Sequence, residues 1–404
     1  MEQTIPTGWQ KATLGEICSF FRGLTYSKVD EVEKSENVVL RANNIDLASY
    51  TLNFNKLKFI NNNIQIKSDK IIRKNSILIC TANGSKTHLG KIAFVDRDYG
   101  YAFGGFMGLL IANNSVAHPK YIFYNLITKQ YRNFIKKLTD GANINNLKWS
   151  DIRIYDFLLP TISEQKRIVE KLDKIFETID KAKFNAERNL KNSEDLFNSY
   201  LDEIFSNSDR WEEKKLDDVC EIGAGNSAPQ DKALFKNGCY PFFRTSDVGK
   251  IHFGKIKQST DMLNNRGIQG MRLFRKGTIL FPKSGASTFL NHRVLMDVNG
   301  YVASHLATIY ANQKILDPEF LLFFLRQIDT KQLIQDRNYP ALNLSIISNI
   351  KIKFPNIIEQ KRIAKKIQSM ENKSNQLKQL YERKIDALSE LQQAVLNKAF
   401  QGEL

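Results

Sequence analysis

Gly84 to Lys91 reads GSKTHLGK, the residue types of a phosphate-binding loop: two glycines with a lysine after the second. Such a loop wraps backbone amides around phosphate oxygens, and a Ser or Thr after the lysine holds magnesium. Here the glycines stand one residue too far apart, and Ile92 occupies the hydroxyl position. The similar stretch GASTFLNH, Gly285 to His292, lacks the Gly-Lys pair altogether. Both read as polar loops between strands. FGGFMG, Phe103 to Gly108, lacks the G-x-G-x-x-G order of a dinucleotide turn, and its glycines read as sites of close backbone packing. The chain's nine prolines include no Pro-Pro, which excludes the Asn-Pro-Pro or Asp-Pro-Pro of aminomethyltransferases. His88, His118, His252, His292 and His305 form no H-x-x-x-H pair, and Cys18, Cys80, Cys220 and Cys239 show no C-x-x-C metal spacing. Glu164 and Glu359 each head a Glu-x-Lys, which one nuclease class uses from a strand aimed at a metal. Here each glutamate opens a helix instead. These residues form no credible catalytic constellation.

The elements that would position binding residues are announced by a repeated word. LLPTISEQKRIVEKLDKIF begins at Leu158, and KFPNIIEQKRIAKKIQSM at Lys353. Pro160 and Pro355 stand four residues before Glu164 and Glu359, where proline is tolerated and helix cannot yet exist. Thr161 and Asn356 precede those glutamates by three, the spacing of a capping box. Without a gap, the two segments align through Gln165 with Gln360, Ile168 with Ile363, and Phe205 with Phe400. Apolar residues recur at steps of three and four through both, the pattern of a coiled-coil seam, interrupted at Ser193, Ser374 and Gln392. The spacing predicts two matched helices of roughly 60 Å at about 1.5 Å per residue.

The remainder repeats as well. Trp9, Leu14 and Cys18 recur as Trp211, Leu216 and Cys220; VVLRANNID resembles YPFFRTSDV, and NSILICTANG resembles GTILFPKSG. The chain reads as a tandem duplication of globular unit and long helix. Its 404 residues suit two such units. SILIC, KIAFV and TILFP read as strands, and the segments after Pro119 and Pro318 as helices with proline at an early position. The expected fold is mixed α/β. Two sheet-containing domains are separated by long antiparallel coiled-coil helices in a pseudo-twofold repeat. The expected divisions are 1–158, 159–207, 208–353 and 354–404.

Charge follows the same plan. Of a net +16, residues 1–160 carry +8, from 21 basic against 13 acidic side chains, and residues 206–355 carry +7, from 21 against 14. The segment 161–205 carries −2 and 356–404 carries +3. Two basic globular regions on near-neutral helices suit two contacts with one polyanion. With no long apolar run and no charged-then-apolar leader pattern, the expectation is a cytoplasmic protein without a membrane span.

This order of features resembles the specificity subunit of Type I restriction-modification systems. The resemblance is carried by Pro160, Glu164, Gln165 and Ile168, by Pro355, Glu359, Gln360 and Ile363, and by the ending LNKAFQGEL. It implies a non-catalytic chain whose two target-recognition domains each read half of a bipartite double-stranded DNA target. It also implies that the helices dock two modification subunits, which bind S-adenosylmethionine and methylate adenine. Restriction subunits, with ATP and Mg, would complete the complex. No cofactor or metal is expected on this chain. Two other readings fit the repeat: the specificity subunit of a related system with a fused methylase-nuclease partner, and a basic coiled-coil scaffold protein.

The expected DNA contacts are the polar loops that recur in both halves, since Arg can read guanine and Asn adenine in the major groove. In the first half these are Arg41, Asn43, Asn44, Lys86, Thr87 and His88. In the second they are Arg244, Thr245, Ser246, Lys283, Ser287, Thr288, Asn291 and His292. The eight signature residues around the two proline-EQ words are expected to cap the helices and dock subunits.

Overall fold

The computed structural model describes residues 5–140, 146–206, 209–334 and 341–404. The chain forms two compact units. The first comprises Met1–Glu187 with Arg383–Leu404, and the second Arg188–Glu382. Each therefore contains one globular region and a portion of each long helix.

The two helices are Ile162–Ser206, 45 residues, and Ile357–Phe400, 44 residues. Each starts two residues after its proline, as the sequence predicts. In the first unit Lys183 Nζ donates to Gln392 Oε1 at 2.9 Å and Arg167 donates to the Leu404 carbonyl at 2.7 Å, so the helices run antiparallel there. Ile168, Leu172 and Ile179 share one core with Leu396, Ala399, Tyr121 and Ile122. In the second unit the two seam serines meet: Ser374 Oγ donates to the Ser193 carbonyl at 2.8 Å. Ser193, Ser374 and Gln392, which break the apolar pattern, are thus all cross-helix hydrogen-bonding positions. Leu377, three residues after Ser374 on the second helix, is 39% exposed.

The globular regions share a sheet plan. In the first, strands Cys18–Arg22, Met107–Ala112, Ser76–Cys80 and Ile92–Val95 lie side by side in that order. In the second, Cys220–Ala224, Leu306–Ala311, Thr278–Pro282 and Arg293–Met296 repeat the order, and Phe253–Ile256 adds a parallel edge strand. The central strands Ser76–Cys80 and Thr278–Pro282 are rich in β-branched and aliphatic residues and are buried throughout. A smaller sheet accompanies each. It pairs Asn37–Leu40 with Ala102–Phe103 in the first region and Tyr240–Phe243 with Tyr301–Val302 in the second, both in parallel. Helices Pro119–Leu126 and Pro318–Arg326 begin with their prolines as expected.

Two boundaries shift. Strand Asp156–Leu159 pairs antiparallel with Gln10–Thr13, and Lys351–Phe354 with Glu212–Lys215. The expected divisions after 158 and 353 therefore cut strands that belong to the globular regions. The expected junction at residues 207 and 208 lies outside the described residues. The cysteines are free. Burial pushes the Cys18 and Cys220 thiols up to about 12 and Cys80 up to about 11, as suits core packing, while Cys239 is exposed. Among the described residues no helix is long and apolar enough to cross a membrane.

Candidate nucleic-acid interface

In the first unit four chain segments converge on a cleft of about 970 Å³. Leu24 to Lys28 and Glu31 form one wall, Arg41 to Asn43 another, Ala82 to Gly84 a third, and Gly104 to Met107 the last. Close backbone packing makes this possible. A Cβ on Gly23 would collide with the Gly104 carbonyl, and Gly104 N donates to the Leu40 carbonyl at 2.9 Å. The turn after Phe103 is tied down at its tip. The Phe106 carbonyl accepts from Thr81 N at 3.0 Å, Ala82 N at 3.1 Å and Thr81 Oγ1 at 3.0 Å, yet the Phe106 side chain is 73% exposed. Of the FGGFMG glycines only Gly108 is tightly packed, since a Cβ there would collide with the Trp149 ring, whereas Gly104 and Gly105 have ordinary room; the sequence reading missed the exposed ring of Phe106 between them.

Arg41 and Asn43 line this cleft, and Arg41 Nε is buried with no hydrogen-bond partner among the described residues. Asn44 does not. It is fully buried; its Oδ1 accepts from Arg41 N at 2.9 Å and its Nδ2 donates to the carbonyls of Asn53 and Asn55. Asn44 shapes the loop that presents Arg41 and Asn43. Lys86, Thr87 and His88 lie on the strand-connecting loop. Lys86 Nζ donates to the Thr139 carbonyl at 2.9 Å, Thr87 Oγ1 bonds Ser85 Oγ at 2.8 Å, and His88 is half-buried. Helix Lys129–Asp140 clamps the loop through Arg132, which donates to the Thr87 and Leu89 carbonyls, and Tyr131, whose hydroxyl donates to the Gly90 carbonyl. Lys91, the lysine of the phosphate-loop look-alike, is buried and donates to the Ile45 carbonyl at 3.1 Å. Burial lowers its pKa.

The second unit repeats the scaffold with different chemistry. Arg244 N donates to Asp247 Oδ2 at 3.0 Å, as Arg41 N does to Asn44 Oδ1, so Asp247 is the counterpart of Asn44. Arg244 Nε donates to Asp261 Oδ2 at 2.5 Å, and its guanidinium lies over the Phe242 and Phe235 rings. That engagement leaves Ser246 as the loop's exposed hydroxyl, beside a half-buried Thr245.

Several residues expected to touch DNA from the loop before Arg293 make hydrogen bonds within that loop and to its neighbours. Thr288 is buried and donates to the Gly285 carbonyl at 2.8 Å. Asn291, at φ +56°, donates to Asp329 Oδ1 at 3.1 Å and accepts from Thr330 N at 2.8 Å. His292 packs edge-on against His252 at 4.5 Å, and burial, then His252, lowers its pKa. Ser287 donates to the Ser284 carbonyl at 3.1 Å, and Lys283 N donates to the His305 carbonyl at 3.0 Å. Beneath them Arg293 is fully buried, with Nη1 on the Asn291 carbonyl at 2.7 Å and Nη2 on the Ile328 carbonyl at 2.5 Å. Burial lowers its pKa to about 10. His305 occupies the place of Phe106 on the turn, with Nδ1 2.7 Å from Ser284 Oγ.

The signature residues divide by burial. Thr161 and Asn356 cap their helices, accepting from Glu164 N at 3.4 Å and Glu359 N at 3.0 Å. The glutamates do not complete a capping box. Each forms an ion pair with the arginine three residues on, Arg167 or Arg362, which holds the carboxylate below its usual range. The glutamines do the structural work. Gln165 Nε2 donates to the Pro160 carbonyl at 2.8 Å and the Val116 carbonyl at 3.0 Å, and its Oε1 accepts from His118 N at 2.7 Å. Gln360 repeats this with the carbonyls of Pro355 and Ile315, both at 2.8 Å, and Asp317 N at 2.8 Å. Gln165, Gln360, Ile168 and Ile363 are buried, so they latch helix to domain and offer no docking face.

Comparison with known proteins decides the family. The family profile described as Type I restriction modification DNA specificity domain matches residues 6–190 and again 208–385. The chain belongs to the Type I restriction-modification specificity family. The Type I restriction enzyme EcoKI specificity subunit of Escherichia coli strain K12 is 26% identical, over 99% of this chain and 90% of its own length. A solved chain from work on complex assembly in a type I R-M system superposes with a TM-score of 0.80 at 21% identity, covering 99% of this chain and 100% of its own. The HsdS subunit from Thermoanaerobacter tengcongensis superposes at 0.61, also 21% identical, covering 100% and 99%. These likenesses bear out the two-domain mixed fold.

In this specificity subunit the residues that sequence missed are the loop supports. Arg293 stands inside the apolar strand RVLM, where a charged side chain must find internal partners. That was a readable signal. Arg132 gave none, since an arginine on an amphipathic helix usually faces water.

Proposed function

We propose that this specificity subunit reads a bipartite, asymmetric duplex target, one half with each globular unit, and that its long helices dock two methyltransferase subunits. Catalysis lies with the partners: S-adenosylmethionine on the modification subunits, ATP and Mg on the restriction subunits that join the full complex. The observation that supports the reading most directly is one scaffold built twice around loops of different chemistry. Arg41, Asn43 and an exposed Phe106 face the first cleft, while Ser246 and His305 occupy the corresponding loops of the second unit. A duplicated fold with unlike reading surfaces suits two unlike half-sites. The excess positive charge of both regions supplies sequence-independent attraction to phosphates.

The test is selection from random duplexes by the purified chain together with its modification subunits. Two different short sequences at a fixed gap are expected, and modification subunits alone should select none. A continuous or palindromic target would overturn bipartite reading. Titration calorimetry of the isolated chain with S-adenosylmethionine should show no heat of binding. A stoichiometric site would overturn the assignment of catalysis to the partners.

A further inference from the structure

We infer that Phe106 is a specificity-determining residue that reads a thymine in the first half-site by packing on its C5-methyl group. The inference rests on the DNA-reading function proposed above.

Three observations lead to it. An exposed phenyl ring gains nothing for the fold, yet its backbone is held by three hydrogen bonds to Thr81 and Ala82. A ring held out rigidly on a turn forms contacts at little entropic cost. Next, its neighbours in the cleft are Arg41, Asn43 and Asn83, whose side chains suit hydrogen bonding to guanine and adenine in the major groove. A phenyl ring has no donor or acceptor. The apolar feature a base edge offers in that groove is the thymine methyl. Finally, the same turn of the second unit carries His305, whose Nδ1 is engaged by Ser284. The Nε2 side of that imidazole can hydrogen-bond a base edge, and it has no apolar face equivalent to Phe106. The two units thus differ in kind at one structurally matched position.

The experiment uses the full chain bound to its modification subunits and the duplex target found by selection. Each thymine in turn is replaced by deoxyuridine, which removes only the methyl group. Wild-type complex should bind about fourfold more weakly on replacement of one thymine of one half-site, the effect of one buried methyl group. Phe106→Ala should bind the unmodified target about fourfold or more weakly and show no further weakening at that one position. It should respond like wild type to every other replacement. The variant should melt as wild type does, since the ring is exposed. Overturning results are a target without thymine in either strand, a wild type indifferent to every replacement, or a Phe106→Ala complex that keeps every uracil response. A variant weakened while keeping those responses would place the ring between base steps instead. Failure of the DNA-reading function itself looks different: wild-type complex would select no sequence at all.

Discussion

At the scale of single residues, the amide of Gln165 outweighs the carboxylate of Glu164. Removing Gln165 leaves the Pro160 carbonyl, in a buried place, and the Val116 carbonyl and His118 N, in partly buried ones, without their partner. Each unsatisfied group costs about 1–3 kcal/mol. Gln165→Ala should therefore destabilise the first unit by about 3 kcal/mol or more, and Gln360→Ala the second similarly. Glu164→Gln removes only a solvent-facing ion pair and should cost under about 1 kcal/mol. Urea unfolding midpoints of the three variants check the order. The thiols give a second prediction. Burial holds Cys18, Cys80 and Cys220 as unreactive thiols, so iodoacetamide should label native protein at Cys239 first and the other three only after denaturation, as read by mass spectrometry. Residue types alone picked out Arg41 and Asn43, which stand in the cleft wall. They could not separate Asn43 from Asn44, because the two amides differ only in which backbone groups they meet. They also passed over Phe106, since an aromatic beside glycines resembles core packing.

At the scale of elements, the long helices, their starts and the duplication were legible because those signals are local: proline, cap and seam lie within a few residues of one another. Strand order was not legible, since pairing Ser76–Cys80 with Met107–Ala112 joins residues some thirty positions apart and no local rule selects the partner. The loop supports are also non-local. The same loop is clamped by Arg132 from a helix in one unit and by Arg293 from the adjoining strand in the other. Arg293→Met keeps the side chain's bulk but removes the donors to the Asn291 and Ile328 carbonyls. It should free the segment 285–292 without unfolding the sheet, giving faster amide exchange there by mass spectrometry and unchanged exchange in Thr278–Pro282. Binding by the complex should weaken at the second half-site alone. Equal loosening of the whole sheet would mean that Arg293 serves the core and not the loop.

At the scale of the whole molecule, each globular region carries its own charge, core and candidate reading loops, and each is tied to a helix start by its own glutamine latch. Such modules should be exchangeable, but the boundary matters. Strand Asp156–Leu159 pairs with Gln10–Thr13, so a cut after 158 divides a hydrogen-bonded pair, whereas a cut after Pro160 keeps it whole. The incoming domain must also supply a turn matching Val116 to His118, because Gln165 bonds both ends of it. Replacing residues 1–160 with the matching region of another family member that keeps this turn should give a stable chain. Its complex should recognise a new first half-site, with the second half-site and the gap unchanged. Replacing 1–158 should give the same specificity with lower stability. Methylation-site mapping reads the first outcome and thermal unfolding the second. Salt dependence adds an independent check. The slope of log affinity against log salt steepens by about 0.9 for each DNA phosphate that the protein neutralises. An incoming domain less basic than the present +8 region should therefore flatten the slope while leaving the second half-site's sequence preference intact. A change in both half-sites together would show that the two units do not read independently.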